Sequence, residues 1–182
     1  MRSFMDGCKV IALSGINGNF GDFVNCIEPY LNCSDLIKIP YDSSLTFLQN
    51  IKIMRNIIDN GNEKYCLIGW SIGAVAATFL SNSINVSSII MINPFYRRSE
   101  ILKSRDIPCD EEVCVSSTSK QNIKYTIIAG LGDDKIPYTE SLRILEYYNL
   151  DKNSLFLIEE AKHELSTFPS DIISEIINNN IL

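Results

Sequence analysis

Ser71 stands in Gly69-Trp70-Ser71-Ile72-Gly73, with an apolar run before it and a small-residue run after it. A serine with glycine two residues away on either side, between a strand and a helix, is how a chain presents a nucleophilic hydroxyl. The tight turn strains the serine backbone and lifts its oxygen clear of the sheet edge, and the glycines leave room for the turn to close. The first turn of the following helix points free N–H groups toward the serine and favours negative charge there. A serine hydroxyl is a weak nucleophile and needs a base. The sequence holds one histidine, His163, in Glu159-Glu160-Ala161-Lys162-His163-Glu164-Leu165. It follows an apolar strand-like run, on the side where open parallel sheets carry active sites, and lies C-terminal to the serine.

An acid that fixes the imidazole tautomer belongs between them, past another strand end. Gly130-Leu131-Gly132-Asp133-Asp134-Lys135-Ile136-Pro137 supplies two candidates, Asp133 and Asp134. An oxyanion requires donors as well. One is the N–H of Ile72, directly after the serine, and the other is expected from the loop Ser14-Gly15-Ile16-Asn17-Gly18-Asn19, where glycine permits close backbone approach. Gly15, Gly18 and Gly21 do not make this a nucleotide loop, because no Gly-Lys-Ser/Thr follows and the dinucleotide spacing is not matched.

The elements that must position these groups alternate along the chain. Strands are predicted at Lys9–Leu13, Leu36–Ile39, Tyr65–Ile68, Ser88–Ile92, Tyr125–Ala129 and Ser154–Ile158. Helices are predicted at Phe23–Leu31, Ser44–Asp59, Ile72–Leu80, Thr139–Tyr148 and Ser170–Ile177, from apolar residues at one-face spacing and from Asn60-Gly61 as a stop. Asn93-Pro94 ends the fourth strand, and the stretch from Phe95 to Asn122 is irregular. Short, continuously apolar strands separated by helices imply one α/β domain with a mostly parallel sheet covered on both faces.

Composition narrows the function classes. The 182 residues include 16 Lys plus Arg against 22 Asp plus Glu, a formal charge of −6, which opposes general binding to nucleic acid or an anionic membrane. No apolar run is long enough to span a bilayer, and Met1–Lys9 lacks the pattern of a secretory signal. The six cysteines contain no Cys-x-x-Cys pair, so buried free thiols in a reducing cytoplasm are expected, and a Cys/His zinc site has little to build on.

Taken together the chain resembles the α/β-hydrolases over nearly its whole length, which implies a compact version of that fold. The family's acid motif, Gly-x-x-Asp-x-x-Val-Pro, is met by Gly130, Asp133 and Pro137 with Ile136 for valine, so the resemblance assigns Asp133 as the acid and leaves Asp134 second. It assigns Ser71 as nucleophile and His163 as base. In the family's His-Gly-x oxyanion motif Gly15 and Ile16 match while Ser14 replaces histidine, making the Ile16 N–H the second donor. The implied chemistry needs no cofactor and no metal. Gly-Trp-Ser-x-Gly is similar to the pimeloyl-acyl-carrier-protein methyl ester esterases of biotin synthesis, in which Trp70 would wall the acyl pocket as a substrate-binding residue, with packing alone an equally good account of it.

The family's lid falls at about 95–122 here, a short insertion that implies an open mouth suited to a tethered or bulky substrate. Within it the stretch 97–105 sets Arg97, Arg98, Lys103 and Arg105 against Glu100, a local charge of +4 − 1 = +3. These four are expected as a landing site for acyl carrier protein, with a solvated charged face as the plain alternative. The resulting expectation is a cytoplasmic serine esterase. A type II-like acyl thioesterase clearing carrier proteins, and a non-catalytic binding protein on the same fold, are the alternatives.

Overall fold

The computed structural model describes residues 8–16, 21, 25, 27, 28, 31, 36–58, 63–103, 111–117 and 122–181. Its strands are β1 (Cys8–Leu13), β2 (Leu36–Ile39), β3 (Lys64–Trp70), β4 (Val86–Ile92), β5 (Lys124–Gly130) and β6 (Leu155–Ile158). Its helices are α1 (Phe47–Ile57), α2 (Ile72–Leu80), α3 (Arg98–Lys103), α4 (Thr139–Tyr147) and α5 (Ser170–Asn180). The six strands form one sheet in the order β2-β1-β3-β4-β5-β6, and every neighbouring pair is parallel.

The sheet is apolar on both faces because both are covered, as a wholly parallel sheet requires. Alternation along β1 splits the core in two. Ile11 and Leu13 face a layer with Phe47 and Met54 of α1, Val75 and Leu80 of α2 and Ile144 of α4. Val10 and Ala12 face the other way, toward Ile27, Phe168 and Ile173, Ile176 and Ile177 of α5. α1 begins at a capping box in which the Thr46 hydroxyl accepts from the Gln49 N–H and the Gln49 side chain accepts from the Thr46 N–H.

The predicted elements agree with these to within a few residues at each end, the usual uncertainty of helix boundaries. Two differences matter. The region expected to be irregular contains, among the described residues, α3 and an antiparallel bridge between Arg97 and Cys114. The predicted helix at 23–31 lies largely outside the described residues, as do Asn17, Gly18, Asn19 and Arg105. Among the described residues no helix is long and apolar enough to cross a membrane, and no group of His, Cys, Asp and Glu is placed to hold a metal ion.

Candidate active site

Parallel strands bring all their C-terminal ends to one edge of the sheet. Ser14–Ile16 follow β1, Ser71 follows β3, Asp133 lies three residues past β5 and His163 five past β6. Residues spread over 150 positions are thereby delivered to one rim.

Ser71 has φ 57° and ψ −121°, a conformation that costs a non-glycine residue free energy and marks a turn held by its surroundings. Its N–H donates to the Ile92 carbonyl at 2.9 Å, and its own carbonyl accepts from Ala74 N–H at 3.0 Å. The hydroxyl makes no helix-capping bond, so it is not spent on the helix it precedes. The flanking glycines are demanded sterically. A Cβ on Gly69 would lie 2.4 Å from the Gly73 carbonyl oxygen, and one on Gly73 would lie 2.3 Å from that of Leu13. The turn can therefore sit against β1 only without side chains at these two positions.

Asp133 and His163 are in contact, with Oδ2 2.8 Å from Nδ1. The Asp133 carboxyl is fully buried, and its other oxygen accepts from the N–H groups of Lys135 and Ile136, each at 2.8 Å. Two backbone donors on Oδ1 leave Oδ2 for the imidazole and fix the acid's orientation. Asp134, next along the chain, is exposed and is not the partner of the imidazole. Lys135 and Glu164, each near one member of the pair in sequence, join in an exposed ion pair. The Lys135 hydrogen bond holds the Glu164 carboxyl below its ordinary range.

Two residues brace the histidine loop from beneath. The Trp70 indole N–H donates to the His163 carbonyl at 3.0 Å, and its ring centroid lies 5.4 Å from the imidazole. Trp70 is buried in the α5-side core, so its indole N–H is occupied by the histidine loop. Asn93, read from sequence only as a strand stop, is buried with φ 44°. Its side chain spans the acid strand and the histidine loop. The sole sequence signal for it was Asn-Pro at a strand end.

The oxyanion candidates lie along the same rim. Ile72 opens α2, so its N–H has no partner within the helix. A Cβ on Gly15 would come within 3.2 Å of Ser71 Cβ and 3.3 Å of Trp70 Cε3, which places the β1 loop directly against the serine. Ser14, where the family has histidine, is buried, and its hydroxyl accepts from the Tyr41 N–H at 3.0 Å. That bond ties the β1 loop to the segment after β2. Ile16 is 37% exposed at the open side of the loop.

Carboxylates meet part of the positive charge in the described residues after β4. Glu140 of α4 is buried. It accepts from the Tyr96 and Arg97 N–H groups at 2.9 and 3.3 Å and pairs with Arg143 at 2.9 Å. Arg143 also pairs with Glu100 and lies over the Tyr96 ring. Arg97 pairs with Glu112 at 3.2 Å and Glu100 at 3.7 Å, so its charge is met from beyond the 97–105 stretch. Glu111 accepts from the Phe47 N–H at the start of α1. Arg98 and Lys103 make no ion pair among the described residues, and Arg105 lies outside them.

No protein-family model and no curated protein sequence matches this chain. Its fold does match solved structures. Mouse alpha/beta hydrolase domain-containing protein 10 superposes with a TM-score of 0.69 at 12% identity, covering 98% of this chain and 95% of the other. The ydeN gene product of B. subtilis gives 0.64 at 13% identity over 94% and 97% of the two chains. The esterase domain of a Rhodothermus marinus protein gives 0.64 at 10% identity over 97% and 88%. At these identities the likeness establishes architecture, and the chain has the α/β-hydrolase fold.

Proposed function

We propose that this protein is a serine hydrolase cleaving carboxylic esters or thioesters, with Ser71 as nucleophile, His163 as base and Asp133 as the acid. One observation carries the reading: a serine held at φ 57° shares a sheet rim with a histidine whose Nδ1 lies 2.8 Å from a buried carboxylate. A solvated turn serine has no reason to sit in that conformation, and a chance surface histidine has no reason to be paired with a fully buried acid.

The residues then act in a defined order. Asp133 holds the His163 proton on Nδ1 and stabilises the imidazolium that forms. Nε2 takes the Ser71 proton as the oxygen attacks the substrate carbonyl carbon. The carbonyl oxygen becomes an oxyanion, taken up by the N–H groups of Ile72 and Ile16. His163 returns its proton to the leaving alcohol or thiol, and a water activated by the same nitrogen releases the acid and restores Ser71. This chemistry requires no cofactor.

The narrower substrate reading is an acyl chain on acyl carrier protein, with the pimeloyl methyl ester of biotin synthesis as its sharpest version. Trp70 before the serine supports it, as do Arg98 and Lys103 on the lid. A fluorophosphonate probe tests the hydrolase reading, which predicts labelling of wild type and none of Ser71→Ala. An unlabelled wild type, beside a control hydrolase that labels, returns the chain to the non-catalytic binding class. Side-by-side hydrolysis of methyl-pimeloyl carrier protein, acyl-CoA and a short aryl ester tests the substrate. Turnover of the aryl ester alone would remove the carrier protein, and preference for acyl thioesters would favour the thioesterase.

A further inference from the structure

Asn93 is 2% exposed, directly after β4, and every hydrogen-bonding group of its side chain is engaged. Its Nδ2 donates to the carbonyls of Lys162 at 2.9 Å and His163 at 3.2 Å, while its Oδ1 accepts from the Gly130 N–H at 2.9 Å. The orientation of the carboxamide follows from its partners, because two carbonyls can be met only by N–H groups and an N–H only by an oxygen. Its backbone N–H donates to Ile128 at 2.8 Å, fixing the residue against β5.

We propose that Asn93 is a positioning residue for the general base: its carboxamide sets His163 against Asp133 and Ser71. The proposal rests on the triad reading above and adds a residue that acts through His163 rather than on the substrate. Gly130 ends the strand that carries the acid, and a Cβ there would lie 2.2 Å from the Ala161 carbonyl oxygen, so acid strand and histidine loop touch at that point. The His163 carbonyl is shared with the Trp70 indole, whose residue precedes the nucleophile. One side chain thus joins the acid strand to the base loop, on an acceptor that is also gripped from the nucleophile's strand.

A residue serving only to end β4 at φ 44° has interchangeable substitutes, since glycine and aspartate both tolerate that backbone. What asparagine alone supplies there is a donor on one side and an acceptor on the other. Aspartate keeps the Gly130 bond but turns an oxygen toward two carbonyl oxygens. Glycine keeps the backbone and deletes both bonds.

The test compares wild type, Asn93→Gly and Asn93→Asp on a short aryl ester, alongside the low-field NMR resonance of the His163 Nδ1 proton. Both variants are expected to lose kcat by about 10- to 100-fold with KM held within about twofold. The Nδ1 resonance should shift or broaden, and the acid limb of the kcat/KM profile should move with it. Folded variants with kcat within about twofold of wild type and an unchanged Nδ1 resonance would overturn the proposal, as would a loss confined to KM. Should neither variant fold, wild type decides. The Asn93 side-chain amide resonances are expected to follow the His163 titration, and a flat response counts against positioning. Fluorophosphonate labelling of wild type is read separately. If it fails, the hydrolase reading falls, while the Nδ1 resonance still reports whether Asn93 governs the His163–Asp133 bond.

Discussion

The Trp70 indole N–H donates to the His163 carbonyl at 3.0 Å across 93 positions of sequence, so the residue before the nucleophile grips the backbone of the base. From sequence Trp70 is either a wall of the acyl pocket or a packing residue. In the structure its polar edge belongs to the histidine loop. Trp70→Phe retains a ring and removes only the donor, leaving Asn93 alone on that carbonyl. It should cost about 1 kcal/mol of stability in chemical denaturation, with a fall in kcat exceeding any change in KM for every ester tried.

The Asp133 pairing makes a sharp distinction between neighbouring carboxylates. In Asp133→Asn the amide oxygen can keep the Lys135 and Ile136 N–H bonds, but the amide N–H₂ then faces His163 and drives its proton to Nε2, where a base is needed. A kcat/KM loss on the order of 10⁴-fold is expected. Asp134→Asn should stay within about twofold of wild type. The reverse ranking would hand the acid role to Asp134.

Gly73 and Gly15 should fail in different ways. A methyl at Gly73 meets the β1 backbone at 2.3 Å with nothing free to yield, so Gly73→Ala should lose roughly 3 kcal/mol or more or not fold. At Gly15 the contacts are 3.2 and 3.3 Å and involve Ser71 and Trp70 side chains. Gly15→Ala should fold, with melting temperature little changed and activity down. Equal melting losses in the two variants would contradict this placement of the β1 loop.

Acid should loosen the Lys135–Glu164 ion pair. Lys135 lowers the Glu164 carboxyl pKa in the folded protein, so its stabilisation is complete above the ordinary carboxylate value, about 4.3, and is lost as pH falls through the lowered value. Both side chains are about half exposed, so the effect is small and screened by salt. Melting scans should show Glu164→Gln slightly below wild type near neutrality and converging with it in acid. A gap that persists in acid or is indifferent to salt would contradict the ion pair.

Alkali acts at the opposite end of the sheet face. Burial pushes the Tyr148 phenol up from its ordinary value, and its hydroxyl donates to the Ser116 carbonyl at 2.7 Å. The folded state therefore holds the proton more tightly than the unfolded chain. The corresponding stability is complete below about pH 10 and declines as pH rises beyond it. Tyr148→Phe should cost about 1 kcal/mol at neutral pH and flatten the alkaline decline in denaturation midpoints. An undiminished decline would place its origin in another group.

What could be read from sequence was local. Gly69, Ser71 and Gly73 fall within one five-residue motif, and Gly130 to Pro137 carries its acid in a single loop. The two-sided apolar strands made the parallel sheet legible for the same reason. The side-chain bonds of Asn93 and Trp70 were not legible because their partners lie 37 to 93 positions away, which no spacing rule reaches. The charge count over 97–105 missed Glu112, which the Arg97–Cys114 bridge folds back onto Arg97. In sequence the buried Glu140 is indistinguishable from any glutamate in the first turn of a helix, and only the packing of Tyr96 and Arg97 against it shows it as an anchor.

β6 has four residues and among the described residues pairs with β5 alone, so the base is delivered by a short element at the margin of the sheet. Short marginal strands are where native proteins open first, well below the free energy of global unfolding. Hydrogen exchange in Leu155–Ile158 should accordingly outpace that in β3, which has a partner on each side. His163 lies five residues beyond that marginal strand, so its ties to Trp70, Asn93 and Asp133 anchor the base to strands inward of the edge.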